Sequence, residues 1–199
     1  MLTRLPQGWH LTITIAVLLA LASGGIVLQG GGSVESVKAV LRFTARTSVV
    51  LFCLAYSASA LVKLRKGPWT LWLRRNRRYT GVSFAASHFI HLLAIIAFWR
   101  IDPAAFAAAA PTATLILGGL PYGVIVALTA TSFDATARAV GPKAWAALHG
   151  YGSFYLWAMF VLLFAARVPE NAWYLLPVAL LFGVMGLRLA ARRPAAKPA

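Results

Sequence analysis

Three histidines lie inside long apolar stretches of this 199-residue chain, where ionisable side chains are costly and usually functional. His88 and His91 are three residues apart, a spacing that places both imidazoles on one face of a helix. His149 lies in a different apolar stretch. Imidazole is a common ligand of haem iron, which needs only one or two axial side chains. The same side chains also suit hydrogen bonding between helices, and spacing alone does not separate the two roles.

The other ionisable residues argue against a further metal site and against proton pumping. Zinc needs three or four His, Cys or carboxylate ligands, and the sequence groups no such set around the histidines. The single cysteine, Cys53, excludes an intrachain disulfide and a cysteine-based cluster. His10 is predicted to be an interfacial side chain. None of the four acids falls in the middle of an apolar stretch, which weighs against a proton-coupled transporter. These acids are Glu35, Asp102, Asp134 and Glu170.

The composition requires lipid as part of the solvent. Hydrophobic residues make up 60% of the chain and charged residues 12%, against about 45–50% and about 25% in soluble domains. A chain of this size cannot hide that much apolar surface in its own core. The net charge is +15. Because the basic residues lie between apolar runs, their predicted partner is the lipid bilayer surface and not nucleic acid.

Six apolar stretches are long enough to cross ~30 Å of hydrocarbon as helices of about 20 residues. Linkers are short, so we predict an all-α membrane bundle of six helices, forming a single domain over residues 1–199. Ala20–Ala22 looks like a signal-peptide cleavage site, but apolar sequence continues beyond it, and we predict that the first span is retained. The predicted spans are Leu11–Leu28, Ala39–Leu61, Gly81–Trp99, Thr112–Thr131, Trp145–Ala166 and Trp173–Ala191.

The distribution of Lys and Arg predicts that both termini are cytoplasmic. Most basic residues fall at the N-terminus and in the second loop, the fourth loop and the tail, which hold Arg4, the cations of 63–78, Arg138, Lys143 and the cations of 188–197. The opposite side holds Lys38, Arg42, Arg46, Arg100 and Arg167.

The third and fifth spans then both run from the cytoplasm outward, so the depths of their histidines can be compared. At ~1.5 Å per residue, His88 lies about 10 Å and His91 about 15 Å beyond Gly81, and His149 about 6 Å beyond Trp145. Histidines at such overlapping depths on two helices would be able to hold a flat cofactor between them.

Two sequence blocks around these histidines resemble the ferric reductase-like transmembrane domain family. The first block is RRYTGV (77–82) followed by His91, similar to the family's RR-x-x-G-[LV]…H stretch. The second resembles the family's L-T-S-x-D…G-x-x-W-x-x-L-H segment and consists of LTATS (128–132), Asp134, Gly141, Trp145, Leu148, His149 and Tyr155. The resemblance covers roughly residues 46–163. It is nearest to the MsrQ (YedZ) branch, the haem-binding membrane subunits of bacterial periplasmic methionine sulfoxide reductases.

This resemblance implies six spans, cytoplasmic termini and b-type haem held by histidines of the third and fifth spans. His91 matches the third-span ligand and His149 the first fifth-span ligand, whereas His88 has no clear counterpart and is either a ligand or a polar packing residue. The resemblance also implies a bacterial inner-membrane location. Electrons would come from a quinone or a cytoplasmic flavin reductase and pass to a periplasmic reductase subunit.

One departure from the family concerns Leu162. The family usually has a second fifth-span histidine 13 residues after the first, and this chain has leucine there. Because 13 helical residues span about 20 Å, the missing ligand belongs to the outer half of the membrane. A second haem is therefore in doubt. Three alternatives would account for leucine at this position. His149 pairs with His88 or His91 in one haem, Met159 supplies a thioether ligand, or the protein has lost haem altogether.

Arg46 is a further candidate contact for a cofactor. It follows Lys38 and Arg42 at four-residue intervals on one helix face. Arginine binds carboxylates in a fork, so Arg46 suits haem propionates or a quinone head group, while the alternative is snorkelling to lipid phosphates. Flavin binding at the Arg74–Arg78 cluster is a minor alternative to its topological role. No Rossmann fingerprint occurs in the sequence, so nicotinamide chemistry would belong to another chain.

We therefore expect a haem b-binding electron-transfer subunit with His91 and His149 as axial ligands, not a complete enzyme. The alternative is a haem-free relative that serves as a membrane anchor or assembly partner, for which Leu162 is the main support. A small-molecule transporter is disfavoured because the sequence lacks intramembrane carboxylates and a matched pair of broken helices.

Overall fold

The computed structural model describes residues 5–192, and every regular element in that range is helical. Arg4, Arg193 and Lys197, which contribute to the predicted orientation, lie outside these residues. The elements are α1 (Trp9–Gln29), α2 (Val34–Leu64), α3 (Pro68–Arg75), α4 (Arg77–Ile101), α5 (Pro103–Ala109), α6 (Thr112–Ala130), α7 (Asp134–Val140), α8 (Pro142–Ala165), a 3-10 turn (Ala172–Tyr174) and α9 (Leu175–Ala190).

The described helices confirm the prediction of an all-α chain of membrane-protein type. Five of them are long and apolar enough to cross a membrane, by length and composition: α1, α2, α4, α8 and the stretch Ala172–Ala190. The predicted fourth span coincides with α6, which has 19 residues, and α5 precedes it across a bend of 88°. Pro111 lies at this break, where its ring restricts the preceding residue to extended backbone.

Helix α2 extends well beyond its predicted span. Its 31 residues correspond to about 46 Å, against ~30 Å of hydrocarbon. The extra length is polar at its start, where Ser33 caps the helix by accepting from the Ser36 amide at 3.3 Å, and Lys38 pairs with Glu35 at 2.9 Å. The additional turns therefore suit the headgroup region.

The core of the bundle lies around α2, which packs against α1, α3, α4 and α9. Buried side chains of α2, α4, α8 and α9 form its main apolar cluster, and aromatic rings dominate it. Phe52 of α2 meets Phe84 of α4 and Phe160 of α8, with ring centroids 5.6 and 5.3 Å apart. These rings fill the space between α4 and α8, the two helices that carry the histidines.

Polar contacts join distant segments at one end of the bundle, which we call the Asn76 end. The Gly8 amide donates to Asn76 Oδ1 at 2.9 Å, and Trp9 stacks on Phe133 with centroids 5.2 Å apart. Arg188 of α9 donates to the Tyr56 carbonyl at 2.8 Å. The start of α1, the α3–α4 junction, the α6–α7 loop and the end of α9 therefore share this end. The opposite end, which we call the Asp102 end, holds the α1–α2, α4–α5 and α8–α9 connections.

Candidate functional site

His91 is tied to α2 by a hydrogen bond with Thr44 that determines its tautomer. Nδ1 of His91 lies 2.9 Å from Thr44 Oγ1, and the same oxygen lies 2.7 Å from the Val40 carbonyl one turn earlier. We assign the single hydroxyl hydrogen of Thr44 to the shorter of these two contacts, the one with the Val40 carbonyl, which can only accept. Thr44 Oγ1 then accepts from His91 Nδ1–H. Nε2 of His91 retains its lone pair, which is the form of imidazole that binds a metal.

His88 stands next to His91 and has a polar atom without a partner. The two rings lie 5.5 Å apart and are nearly parallel, at 19°. Nδ1 of His88 is buried and has no hydrogen-bond partner within the part of the chain that the structure describes. The ring also packs on Tyr122 at 4.9 Å and on Phe160 at 5.9 Å. Because an unpaired buried polar atom costs about 1–3 kcal/mol, this nitrogen is a candidate contact for a ligand.

A buried hydroxyl cluster fixes α4 against α2 just beside this pair. Ser87 Oγ lies 2.8 Å from Thr47 Oγ1, 3.0 Å from Ser48 Oγ and 3.3 Å from the Thr44 carbonyl. Thr44, Ser48 and Ser87 are all fully buried. Sequence reasoning missed Thr44 and this cluster. The four-residue spacing of Thr44 and Ser48 was the signal that could have identified a polar helix face.

His149 repeats the same arrangement on the other side of the bundle. Its Nε2 lies 2.9 Å from Thr131 Oγ1, whose own hydrogen goes to the Ala127 carbonyl at 2.7 Å. His149 therefore donates through Nε2 and retains a lone pair on Nδ1. Trp145 covers the ring in a stack of 4.1 Å and donates its indole N–H to the Thr131 carbonyl at 2.9 Å.

The structure does not bring His149 to the site of His91. His149 lines a cavity of about 230 Å³ together with Arg77, Gly81 and Phe84, and His91 is not part of its wall. The seven residues from Phe84 to His91 correspond to about 10 Å along α4. The cavity is also smaller than the ~300–1,000 Å³ usual for drug-sized ligands. The two histidines therefore do not line the same cavity.

Arg46 lies at a third place, in a cavity of about 420 Å³ at the Asp102 end. Phe164, Asn171, Trp173 and Tyr174 contribute to the same cavity, and Arg46 itself is exposed. Neither His88 nor His91 is in this wall. The position suits an anionic head group at the membrane surface, which leaves both predicted roles of Arg46 open.

Leu162 faces away from the bundle, with 51% of its surface exposed. Thirteen residues turn a helix by three full turns and about 220°, so positions 149 and 162 cannot share a face. His149 contacts α6 through Thr131, and Leu162 is therefore directed outward. In this arrangement, a histidine at position 162 would face lipid and not α4.

The two glycines beside His149 differ in what surrounds them. A Cβ added to Gly152 would come within 3.2 Å of both Leu128 and Val124 of α6, so this glycine permits close packing of α6 and α8. A Cβ added to Gly150 would meet no atom within 4 Å. Only Gly152 therefore has a packing role in the structure.

The residues around His91 fit an axial ligand of haem iron better than those around His149. At His91, the nitrogen that usually coordinates iron carries the lone pair; at His149 that nitrogen is engaged by Thr131. Within residues 5–192, no three His, Cys, Asp or Glu side chains are grouped so as to hold a metal ion. Haem iron needs only one or two axial side chains, so a haem ligand does not depend on such a group.

Comparisons with protein-family models, with curated proteins and with solved structures found no match to this chain.

Proposed function

We propose that this chain is a membrane electron-transfer subunit that binds b-type haem, with His91 as its principal axial ligand. The observation that carries the proposal is the Val40–Thr44–His91 chain of hydrogen bonds, which holds a half-buried imidazole in its metal-binding tautomer. Histidine ligands of metals usually donate their second ring N–H to such a partner. Bound haem would supply a one-electron carrier.

The surrounding side chains support this role by rigidity and by low polarity. Ser87 and its hydroxyl partners lock α4 to α2, so the His91 ring keeps one orientation. Phe84 and Phe160 pack against His88 and make its surroundings apolar. His88 supplies a second imidazole beside His91. Because the two rings are parallel neighbours on one helix, they are not suited to opposite faces of a single iron.

The resemblance of the 77–82 and 128–149 blocks to the ferric reductase-like family supports the remaining assignments. His149 is proposed as the ligand of a second position, and Arg46 as a contact for a propionate or a quinone. Both termini are proposed to be cytoplasmic, in a bacterial inner membrane. In this scheme a quinone or a cytoplasmic flavin reductase provides electrons, and a periplasmic reductase subunit receives them.

Absorption spectra of detergent-purified protein test the proposal, recorded oxidised and dithionite-reduced, with haem quantified per chain. We expect a sharp reduced α-band of b type and about one haem per chain. His91→Ala should lose most of the haem, whereas His10→Ala, at an exposed histidine of α1, should retain it. No Soret band after expression with added haem, or equal haem content in the two variants, would overturn the proposal.

A second candidate function is a haem-free membrane anchor or assembly partner. It is favoured by the separation of His149 from His91 and by the outward direction of Leu162. Under this alternative the Thr44–His91 and Thr131–His149 pairs act only as links between helices. Substitution of either histidine should then lower the thermal stability of the detergent-purified protein, and wild-type protein should show no haem absorption.

A further inference from the structure

Two arginines at the Asn76 end have no carboxylate partner within residues 5–192. The salt bridges found among the described residues join Lys38 to Glu35 and Arg78 to Asp134. Arg77 is half-buried, and the one hydrogen bond described for its side chain goes to Ser59 Oγ at 3.4 Å. Arg188 lies over the Tyr56 ring at 3.9 Å and donates to the Tyr56 carbonyl. Arg188 is not in the cavity wall, but Arg77 and the Tyr56 residue that Arg188 covers both are. The two guanidinium groups therefore lie at one edge of the cavity.

The cavity beside these arginines is polar on one side and apolar on the other. Arg77, Arg78 and Ser132 contribute its polar side at the Asn76 end. Phe52, Ile125 and Leu156 contribute apolar wall farther inside, and all three are buried core residues. A ligand that fits this wall carries an anionic group next to an apolar chain.

We propose that this cavity binds an anionic phospholipid, with its phosphate on Arg77 and Arg188 and the start of an acyl chain against the apolar wall. Arginine suits a phosphate because its guanidinium donates two parallel hydrogen bonds. A free phosphate would use only the polar side. The volume of about 230 Å³ accommodates a chain better than a flat macrocycle. His149 also lines this cavity, so the lipid and a haem at the second position would compete for it. The lipid site does not depend on haem at His91, and in that respect it goes beyond the proposed function.

Gly81 provides a test that leaves the arginines intact. It lies in the cavity wall, and a Cβ added there would meet no atom within 4 Å. Leucine at this position would therefore fill part of the cavity without a clash at its Cβ, and it is a better helix former than glycine. Gly183 of α9 is a matched control, because its added Cβ also meets nothing within 4 Å and it is not part of the wall.

The experiment measures lipid binding by native mass spectrometry of delipidated, haem-free protein titrated with phosphatidylglycerol. We expect R77Q to bind about tenfold more weakly, since a charge-assisted hydrogen bond is lost. R75Q is the control, because it removes the same charge from the same end of the bundle but at an exposed arginine of α3 outside the cavity wall. R75Q should therefore bind the lipid as wild type does. Gly81→Leu should also bind about tenfold more weakly, and Gly183→Leu should bind as wild type does.

Several results would overturn the proposal. If R77Q and R75Q bind the lipid equally well, Arg77 acts only through the general positive charge of this surface. If Gly81→Leu binds as tightly as wild type, the lipid does not occupy the cavity. If phosphatidylcholine binds as tightly as phosphatidylglycerol, the site does not prefer anionic lipids. If inorganic phosphate competes with the lipid at equal concentration, the ligand of the arginines is a free phosphate. Displacement of the lipid by haem loading would assign the arginines to haem carboxylates. Absence of haem from the wild-type protein affects only the proposed function, so the two failures are distinguishable.

Discussion

At the scale of single residues, the structure contains the same histidine–threonine pair twice. In each pair a threonine gives its hydrogen to the carbonyl four residues earlier and accepts a hydrogen bond from an imidazole. The difference lies in the ring nitrogen that donates, which is Nδ1 in His91 and Nε2 in His149. The threonine therefore determines not only where each ring points but also which nitrogen keeps its lone pair.

Thr44 should tune a haem held by His91. Thr44→Val is nearly isosteric but cannot accept from Nδ1–H, so the imidazole becomes a weaker electron donor. We expect haem affinity to fall about 10–100-fold and the midpoint potential to rise, because a weaker donor stabilises ferric iron less. Redox titration of the reduced α-band measures the potential, and titration with haem measures the affinity.

Thr44→Ser keeps the hydroxyl and should restore both values. Thr47→Val is the matched control, since Thr47 lies on the same helix and bonds to Ser87 and not to a histidine. If Thr44→Val and Thr47→Val shift the potential equally, Thr44 has no special role.

At the scale of helices, small side chains determine which faces meet. The α2–α4 interface contains a cluster of threonine and serine hydroxyls, whereas α6 and α8 approach each other at Gly152. In both contacts, small side chains let the two helices approach closely. Close packing of this kind drives helix association in a membrane, because lipid is as apolar as the side chains and supplies no hydrophobic driving force.

Gly152→Leu should separate α6 from α8. Its Cβ would start 3.2 Å from Leu128 and Val124, and overpacking of this kind costs about 1–3 kcal/mol. We expect a lower midpoint in thermal or SDS-induced unfolding of the detergent-purified protein. Gly150→Leu, next to open space on the same helix, should unfold at or above the wild-type midpoint. Equal midpoints for the two variants would contradict the close approach of the helices.

The spans were predictable from the sequence, but their lateral contacts were not. Membrane thickness sets helix length, so apolar runs located five of the spans as single helices and the last as the Ala172–Ala190 stretch. The bend between α5 and α6 was missed because the alanines of 104–110 carry no periodic pattern. Helices that are apolar all round give no indication of which face is buried. For this reason His88, His91 and His149 were identifiable as candidates, while Thr44, Thr131 and the separation of the two sites were not.

At the scale of the whole molecule, charge is arranged along the bundle axis. The Asn76 end carries the exposed arginines of α3 together with Arg77, Arg78 and Arg188. The Asp102 end carries three of the four acids, Glu35, Asp102 and Glu170. Excess positive charge at one end favours retention of that end in the cytoplasm.

Single-cysteine labelling should establish the orientation. Cys53 is buried in α2, so Cys53→Ser gives a silent background. A cysteine at Gly31, in the α1–α2 loop, should react with a membrane-impermeant maleimide on intact spheroplasts. A cysteine at Lys66, before α3, should react only after permeabilisation. The opposite pattern would place the Asn76 end outside.

The contact of Arg188 with Tyr56 links two residues that are 132 positions apart. Spans enter the membrane in chain order as the ribosome makes them, so α2 reaches the bilayer long before α9 is synthesised. Until then the Tyr56 carbonyl has no Arg188 partner, and the α2 surface that packs against α9 stays in contact with lipid or with the insertion machinery. Bundle assembly is therefore completed only after the last span has been synthesised.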